Sequence, residues 1–142
     1  MTVRQLALGS AEYAAALELR ERVLRKPLGL TLTAAEHAQE PDCFHLGGFE
    51  GERLIAVLLL QPISTGTVKM RQVAVDPEFQ SRGIGTQLVR FAEDFARANG
   101  FAEIIAHARG TAVRFYLRLD YIASGAEFIE ATIPHRLVTR RL

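Results

Sequence analysis

A single cysteine, Cys43, stands among 142 residues, so no disulfide can form within the chain, and a reducing compartment, the cytoplasm, is the expected location. The four histidines and that cysteine are scattered with no metal-ligand spacing, and no metal site is expected. Charge of either sign is nearly absent in the balance: 17 basic against 16 acidic residues leave +1, which gives no bulk attraction to a nucleic acid. Apolar runs such as Leu54 to Leu60 fall far short of the ~20 residues that span a membrane. The N-terminus lacks the charged-then-apolar pattern of a signal peptide. Repeats, low-complexity tracts and linkers are missing too, and the longest turn-rich gap, Lys26 to Leu32, is too short to separate domains. One domain over residues 1–142 is expected, acting as a monomer or homodimer without nucleic-acid or membrane partners.

What is present reads as alternating strands and helices. A strand near Val3 to Leu8 leads to Ser10, a good N-cap, and a helix whose stripe is Tyr13, Leu17, Arg20 and Leu24. Pro27 and Gly29 end it, and Thr33-Ala34-Ala35-Glu36 is a capping-box pattern for a brief second helix. Strands follow at Cys43 to Phe49 and Leu54 to Gln61, joined by a tight turn, then a third at Thr67 to Val75. From Gly83 to Asn99 the apolar positions Ile84, Leu88, Phe91, Ala92 and Phe95 recur at helical spacing. A strand at Glu103 to Ala108, a helix at Thr111 to Leu119, and strands at Ile122 to Phe128 and Thr132 to Arg140 complete the pattern.

The most informative junction is where Met70 to Val75 meets the turn Asp76-Pro77-Glu78-Phe79 and Gln80-Ser81-Arg82-Gly83-Ile84-Gly85-Thr86 opens the long helix. Glycines there let successive N–H groups point into one space at the positive end of a helix dipole, which suits a pyrophosphate. The loop is not that of an ATP or GTP site, since no lysine follows Gly85. A dinucleotide fingerprint needs a third glycine where Leu88 stands. What remains is Gln-x-x-Gly-x-Gly after a Val-Ala-Val-Asp-Pro strand end.

On these residues the chain resembles the GNAT superfamily of acyl-CoA-dependent N-acyltransferases. Arg114-Phe115-Tyr116-Leu117-Arg118-Leu119-Asp120-Tyr121 is similar to that family's Phe-Tyr-x-x-Leu-Gly-Phe element, with Asp120 in the glycine's place. Glu127-Phe128-Ile129-Glu130-Ala131-Thr132-Ile133-Pro134-His135 resembles the Glu-Phe-x-Glu-x-Gly-Ile-Pro-His ending of a small single-domain bacterial branch. The resemblance implies the GNAT fold, an α/β mixed sheet of six or seven mostly antiparallel strands with helices on both faces. It implies acetyl-CoA as co-substrate and an amine, small-molecule or peptide, as acceptor. In this reading Ser81, Arg82, Gly83, Ile84, Gly85 and Thr86 hold the pyrophosphate. Val73, Ala74 and Val75 lend main-chain groups to the pantetheine arm and to the developing oxyanion.

Tyr116 occupies the family's general-acid position, facing the leaving thiolate. The glutamate that some relatives carry on the fifth strand is replaced here by Ile104. Substitutes for handling the amine proton are His135, Glu130, Glu127, His107 and His45, with His135 first because Ile133-Pro134 is a rigid lead-in. Arg109, where many relatives have an asparagine, suits a phosphate, an acidic acceptor or solvent. Arg20 and Asp42 are weak acceptor candidates better suited to solvated surface, and Cys43 reads as a buried core thiol. The Lys26 to Leu32 stretch departs from the branch pattern in a region that shapes the acceptor side. The rival readings are a non-catalytic acyl-CoA sensor on the same fold and a different nucleotide binder on a Rossmann-like sheet.

Overall fold

The computed structural model describes residues 1–142. Strand β1 (Thr2–Leu6) is followed by helix α1 (Ala11–Arg20), helix α2 (Ala34–Gln39) and the meander β2 (Phe44–Glu50), β3 (Arg53–Pro62) and β4 (Thr67–Val75). Helix α3 (Ile84–Ala98), strand β5 (Glu103–Arg109), helix α4 (Val113–Arg118) and the hairpin β6 (Ile122–Glu130) and β7 (Ile133–Arg141) complete the chain. The seven strands form one sheet in the order β1-β2-β3-β4-β5-β7-β6. Only the β4–β5 pair is parallel. This is the mixed, mostly antiparallel sheet expected from the sequence.

Local chemistry explains the helix ends. Ser10 Oγ accepts from the Tyr13 N–H at 3.1 Å and starts α1. At α2 both halves of the capping box form, Glu36 N–H to Thr33 Oγ1 at 3.1 Å and Thr33 N–H to Glu36 Oε1 at 3.0 Å. The first helix does not run on regularly to Leu24. It widens into a π turn at Glu21–Arg25, tightens into a 3₁₀ turn at Lys26–Leu28, and stops at Gly29, whose φ is 70°. Pro27 offers no N–H to an α ladder, so the regular helix cannot pass it.

Helices cover both faces. Leu88, Val89, Ala92 and Ala96 of α3 are fully buried against Leu58, Leu60, Val68, Met70 and Ile104 of the sheet, each large side chain worth about 1.5–3 kcal/mol. On the opposite face Ala16, Leu19 and Leu24 pack with Leu6, Phe49, Val57 and Ala74. Within the first core Glu93 is buried yet accepts from Arg140 Nη1 (2.6 Å), Arg90 Nη1 (2.9 Å) and Tyr121 Oη (2.9 Å). Burial alone would raise its carboxyl, but these donors outweigh it and hold the group below its usual range. Asp120 and Thr132, the two residues in family glycine positions, sit at φ 71° and 68°. Each carries a left-handed strain of about 1–2 kcal/mol that a glycine would not.

Candidate active site

The site begins where the parallel pair comes apart. Strands β4 and β5 are in register only from Thr67 opposite Glu103 to Met70 opposite Ala106, after which β4 runs on to Val75 held by β3 alone. Opposite Val57 to Leu59 of β3, strand β4 carries one extra residue between Arg71 and Ala74, and this bulge, with a positive φ of 52° at Gln72, bends β4 away from β5. The Asp76 N–H bonds Ile55 O at 2.8 Å, so strand alternation turns the main-chain groups of Val75 toward the gap. Its carbonyl is taken by Gln80 Nε2 at 2.9 Å. Ala74 faces the other way, its main chain paired with Val57 and its side chain buried beneath α1. Of the run Val73 to Val75 it is the member the gap does not see.

Beyond β4, Asp76 caps the turn at Pro77–Phe79 by accepting from the Glu78 N–H at 3.0 Å, with Arg22 at 3.1 Å and Arg53 at 3.4 Å on its other oxygen. Ser81 (φ 63°) and Gly83 (φ 76°) then curl the chain into α3, which has no side-chain cap. From Ser81 through Thr86 no amide donates to any acceptor in the protein. Nothing lies within 4 Å of where a Gly83 Cβ would stand, whereas a Gly85 Cβ would meet Phe115 Cζ at 3.4 Å. Gly83 therefore supplies the backbone turn, and Gly85 lets α3 lie close to α4. Free amides at the start of a 15-residue helix form a cradle that fits a pyrophosphate.

A cleft of about 420 Å³ opens at the splay. It is lined by Val73, His107, Arg109, Tyr116, Glu130 and His135, six of the residues singled out in the sequence, while the Ser81 to Thr86 loop lies outside it. Tyr116 is 5 % exposed, its ring edge-on to Phe115 at 5.0 Å and to Tyr121 at 5.3 Å. Its hydroxyl makes no hydrogen bond in the protein yet is not sealed from the cleft. Burial pushes the phenol well above its ordinary value, so it is a neutral donor at any physiological pH.

Across the cleft Glu130 bridges two imidazoles, with Oε1 2.9 Å from His107 Nδ1 and Oε2 3.7 Å from His135 Nε2. His135 Nδ1 lies 2.9 Å from the Ile133 carbonyl and donates to it, leaving Nε2 turned toward Glu130. Burial would raise the Glu130 carboxyl, but the His107 hydrogen bond and the charges around it hold it below its usual range.

The other candidates fall elsewhere. Glu127 and the exposed Asp42 do not line the cleft. His45 is buried behind it, Nε2 2.8 Å from the Glu40 carbonyl. Ile104 is in the core. Cys43 is half-buried rather than a core residue, its Sγ 3.3 Å from Gln39 O, and burial pushes its thiol up. Arg20 is the clearest correction. Expected in solvent, it is 1 % exposed, donating through Nη2 to Glu40 and through Nε to Gln72 Oε1 at 2.7 Å. The apolar stripe of α1 puts it on the buried face, and a carboxylate from the α2 segment, invisible to local pattern, makes that burial tolerable. Sequence reading also passes over Arg25, Glu36, Lys69, Arg71 and Gln72, all of which line the cleft. Lys69, Arg71 and Gln72 share β4, but Arg25 and Glu36 come from two other elements, so no spacing in the sequence gathers all five. No group of three or more His, Cys, Asp or Glu side chains is arranged to hold a metal ion, and no helix is long and apolar enough to cross a membrane.

A mixed sheet that splays beside an uncapped, glycine-opened helix is the architecture of the GNAT class of acetyltransferases. The chain belongs to the acetyltransferase (GNAT) family, whose model matches residues 11–121. It is 29 % identical over 117 residues to YyaT of Bacillus subtilis strain 168, covering 75 % of this chain and 79 % of that one. Among solved structures it is similar to Escherichia coli ElaA (TM-score 0.86, 19 % identity, 99 % of each chain). It is also similar to a GNAT family acetyltransferase from Elizabethkingia anophelis with acetyl-CoA bound (TM-score 0.76, 16 % identity, 99 % of this chain and 97 % of that one). At these identities the structural likenesses establish the fold.

Proposed function

We propose that this protein moves an acetyl group from acetyl-CoA to a primary amine by direct attack within a ternary complex. The observation that carries the reading is the unbroken series of free amides from Ser81 to Thr86 beside a splay lined by a buried, unbonded tyrosine hydroxyl. The thioester supplies an activated carbonyl and a thiolate leaving group; the chain supplies position and proton handling. Main-chain groups of Val73 and Val75 facing the gap suit an amide-rich arm, and an N–H there suits the developing oxyanion.

Direct attack is favoured because the cleft lining holds no cysteine or serine, and of its two threonines Thr33 accepts from the Glu36 N–H while Thr31 has no base hydrogen-bonded to its hydroxyl to activate it. Tyr116 stands by as hydrogen-bond donor to the departing sulfur. An unperturbed phenol would give its proton to a thiolate uphill by about 2 kcal/mol, and burial increases that gap. The proton therefore follows the charge. A lysine-like ammonium leaves roughly one molecule in a thousand neutral at pH 7, so the amine needs a base. His135 Nε2 borders the cleft, and a proton taken there sits beside the Glu130 carboxylate.

Free-thiol release across a panel of amines tests the transfer, together with a thermal shift in acetyl-CoA, CoA and NAD. Thiol release with an amine, and a midpoint raised by acetyl-CoA or CoA but not by NAD, is the expected result. A midpoint raised by acetyl-CoA with no thiol released on any amine identifies a sensor instead. Equal protection by NAD overturns the acyl-CoA site itself.

A further inference from the structure

The ionised side chains around the cleft do not balance. Its two carboxylates are already matched: Glu36 accepts from Arg25 Nη2 at 2.6 Å and Gln72 Nε2 at 3.1 Å, and Glu130 meets His107 at 2.9 Å. Lys69 shares the field of Glu130, whereas Arg71 and Arg109 have no carboxylate counterpart. Arg71 uses Nη1 on the neutral side-chain oxygens of Gln39 and Gln61, the latter at 3.0 Å. Arg109 uses Nη2 on the Leu24 carbonyl at 2.6 Å, and Lys69 is half-buried with no hydrogen bond. A neutral oxygen fixes where a guanidinium points without cancelling its charge. The Nε and Nη2 edge of Arg71 is left as an oriented donor fork, and Arg109 keeps its Nε and Nη1 hydrogens without a partner in the protein.

Unmatched positive charge in a recess is costly to keep unless a ligand supplies the anion. Resting on the acetyl-transfer reading above, we propose that the acceptor is an amine that also carries a carboxylate or phosphate, gripped by Arg71 of β4 and Arg109 of β5 on the two walls of the splay. Polyamines and other multiply cationic amines are rejected by the same walls. The cations act on one another in this sense: burial and the neighbouring Arg25 push Arg109 down, and burial and Arg71 push Lys69 down against the opposing pull of Glu130. The same field disfavours the ammonium form of the acceptor and so assists the deprotonation that the reaction needs. The Arg109 anion site is separate from the pyrophosphate cradle, because the Ser81 to Thr86 loop does not border this cleft.

Matched acceptors test this: β-alanine against β-alaninamide for a carboxylate, phosphoethanolamine against ethanolamine for a phosphate, and spermidine as the cationic control. Two readouts are taken, kcat/KM from thiol release and the thermal midpoint in saturating CoA. At least one acidic member is expected to exceed its neutral partner by about tenfold or more, mainly in KM, and which pair shows it distinguishes the two anions. Arg71→Gln and Arg109→Gln should each bring that ratio toward one, with an intact acetyl-CoA midpoint shift reporting that the variant is folded. Arg109→Lys keeps the charge without the planar guanidinium and should recover only part of the preference. Neutral amines or spermidine acetylated as well as the acidic members, or a ratio that neither arginine variant moves, overturns the proposal and leaves acetyl transfer standing. Acidic amines that raise the midpoint without thiol release support the anion site and overturn the transfer reading. No midpoint response with the acidic members and no thiol release with any amine overturns both.

Discussion

On the donor side of the β4–β5 splay the protein offers main chain: the amides from Ser81 to Thr86 and the edge of β4, with Arg82 drawn off over the Phe79 ring at 5.3 Å. On the side proposed for the acceptor it offers side chains, Arg71, Arg109 and Glu130, each held by a hydrogen bond from another element, and His135, held by the Ile133 carbonyl of its own strand. A site made of backbone depends on conformation and tolerates most side chains. A site made of side chains depends on identity and changes with single substitutions.

The largest break in the comparison comes from beneath the donor side. Glu93→Ala leaves Arg90 and Arg140 facing a carboxylate that is gone, and should cost about 3–5 kcal/mol in urea unfolding. The acceptor residues are on the other face and should recover their amine preference in whatever fraction stays folded. Tyr116→Phe should lower kcat by about 10²- to 10³-fold while the acetyl-CoA midpoint shift persists. Because the folded-state value of Tyr116 lies above its ordinary 10.0, its contribution to stability is complete below about pH 10 and is lost as pH rises through the higher value. The phenylalanine variant should show a shallower alkaline loss.

His135→Gln should slow turnover by about 10²-fold at pH 7. The deficit should shrink toward pH 9 as more of the amine is neutral without help; a deficit independent of pH would assign His135 to packing. Smallest is Gly83→Ala, which has room for its methyl but not the backbone, at φ 76°. About 1–2 kcal/mol of stability should go, with acetyl-CoA affinity falling and amine preference unchanged.

The same division governs what the sequence can reveal. The donor side is readable because its information is local: a strand end, Asp76-Pro77, and glycines opening a helix occur within a dozen positions. The meander and the α3 periodicity are legible for the same reason. Helix α1 reads too long from its stripe because Leu24 is buried from a π turn at Glu21–Arg25, where the Lys26 N–H reaches back to Glu21 O, and not from a continued α repeat. The acceptor side is mostly illegible. Arg25, Glu36, Arg71 and Arg109 belong to separate elements, and only the bulge at Gln72 and the α1–α2 connection bring them to one recess. Arg20 is misplaced by local pattern because its partner Glu40 comes from another segment. Glu130 and His135 are found through a short hairpin, and Glu127 is not in the cleft because the β6 register breaks between Ser124 and Phe128.

The bond from Arg109 to the Leu24 carbonyl ties the wide turn after α1 to β5, joining positions 85 residues apart in sequence. That turn and its continuation through Leu30, Thr31 and Thr33 form one lip of the recess. The lip cannot swing outward without releasing a guanidinium into the space it guards. The breadth of the doorway and the charge on its jamb are thus a single adjustable quantity, and altering either will alter the other.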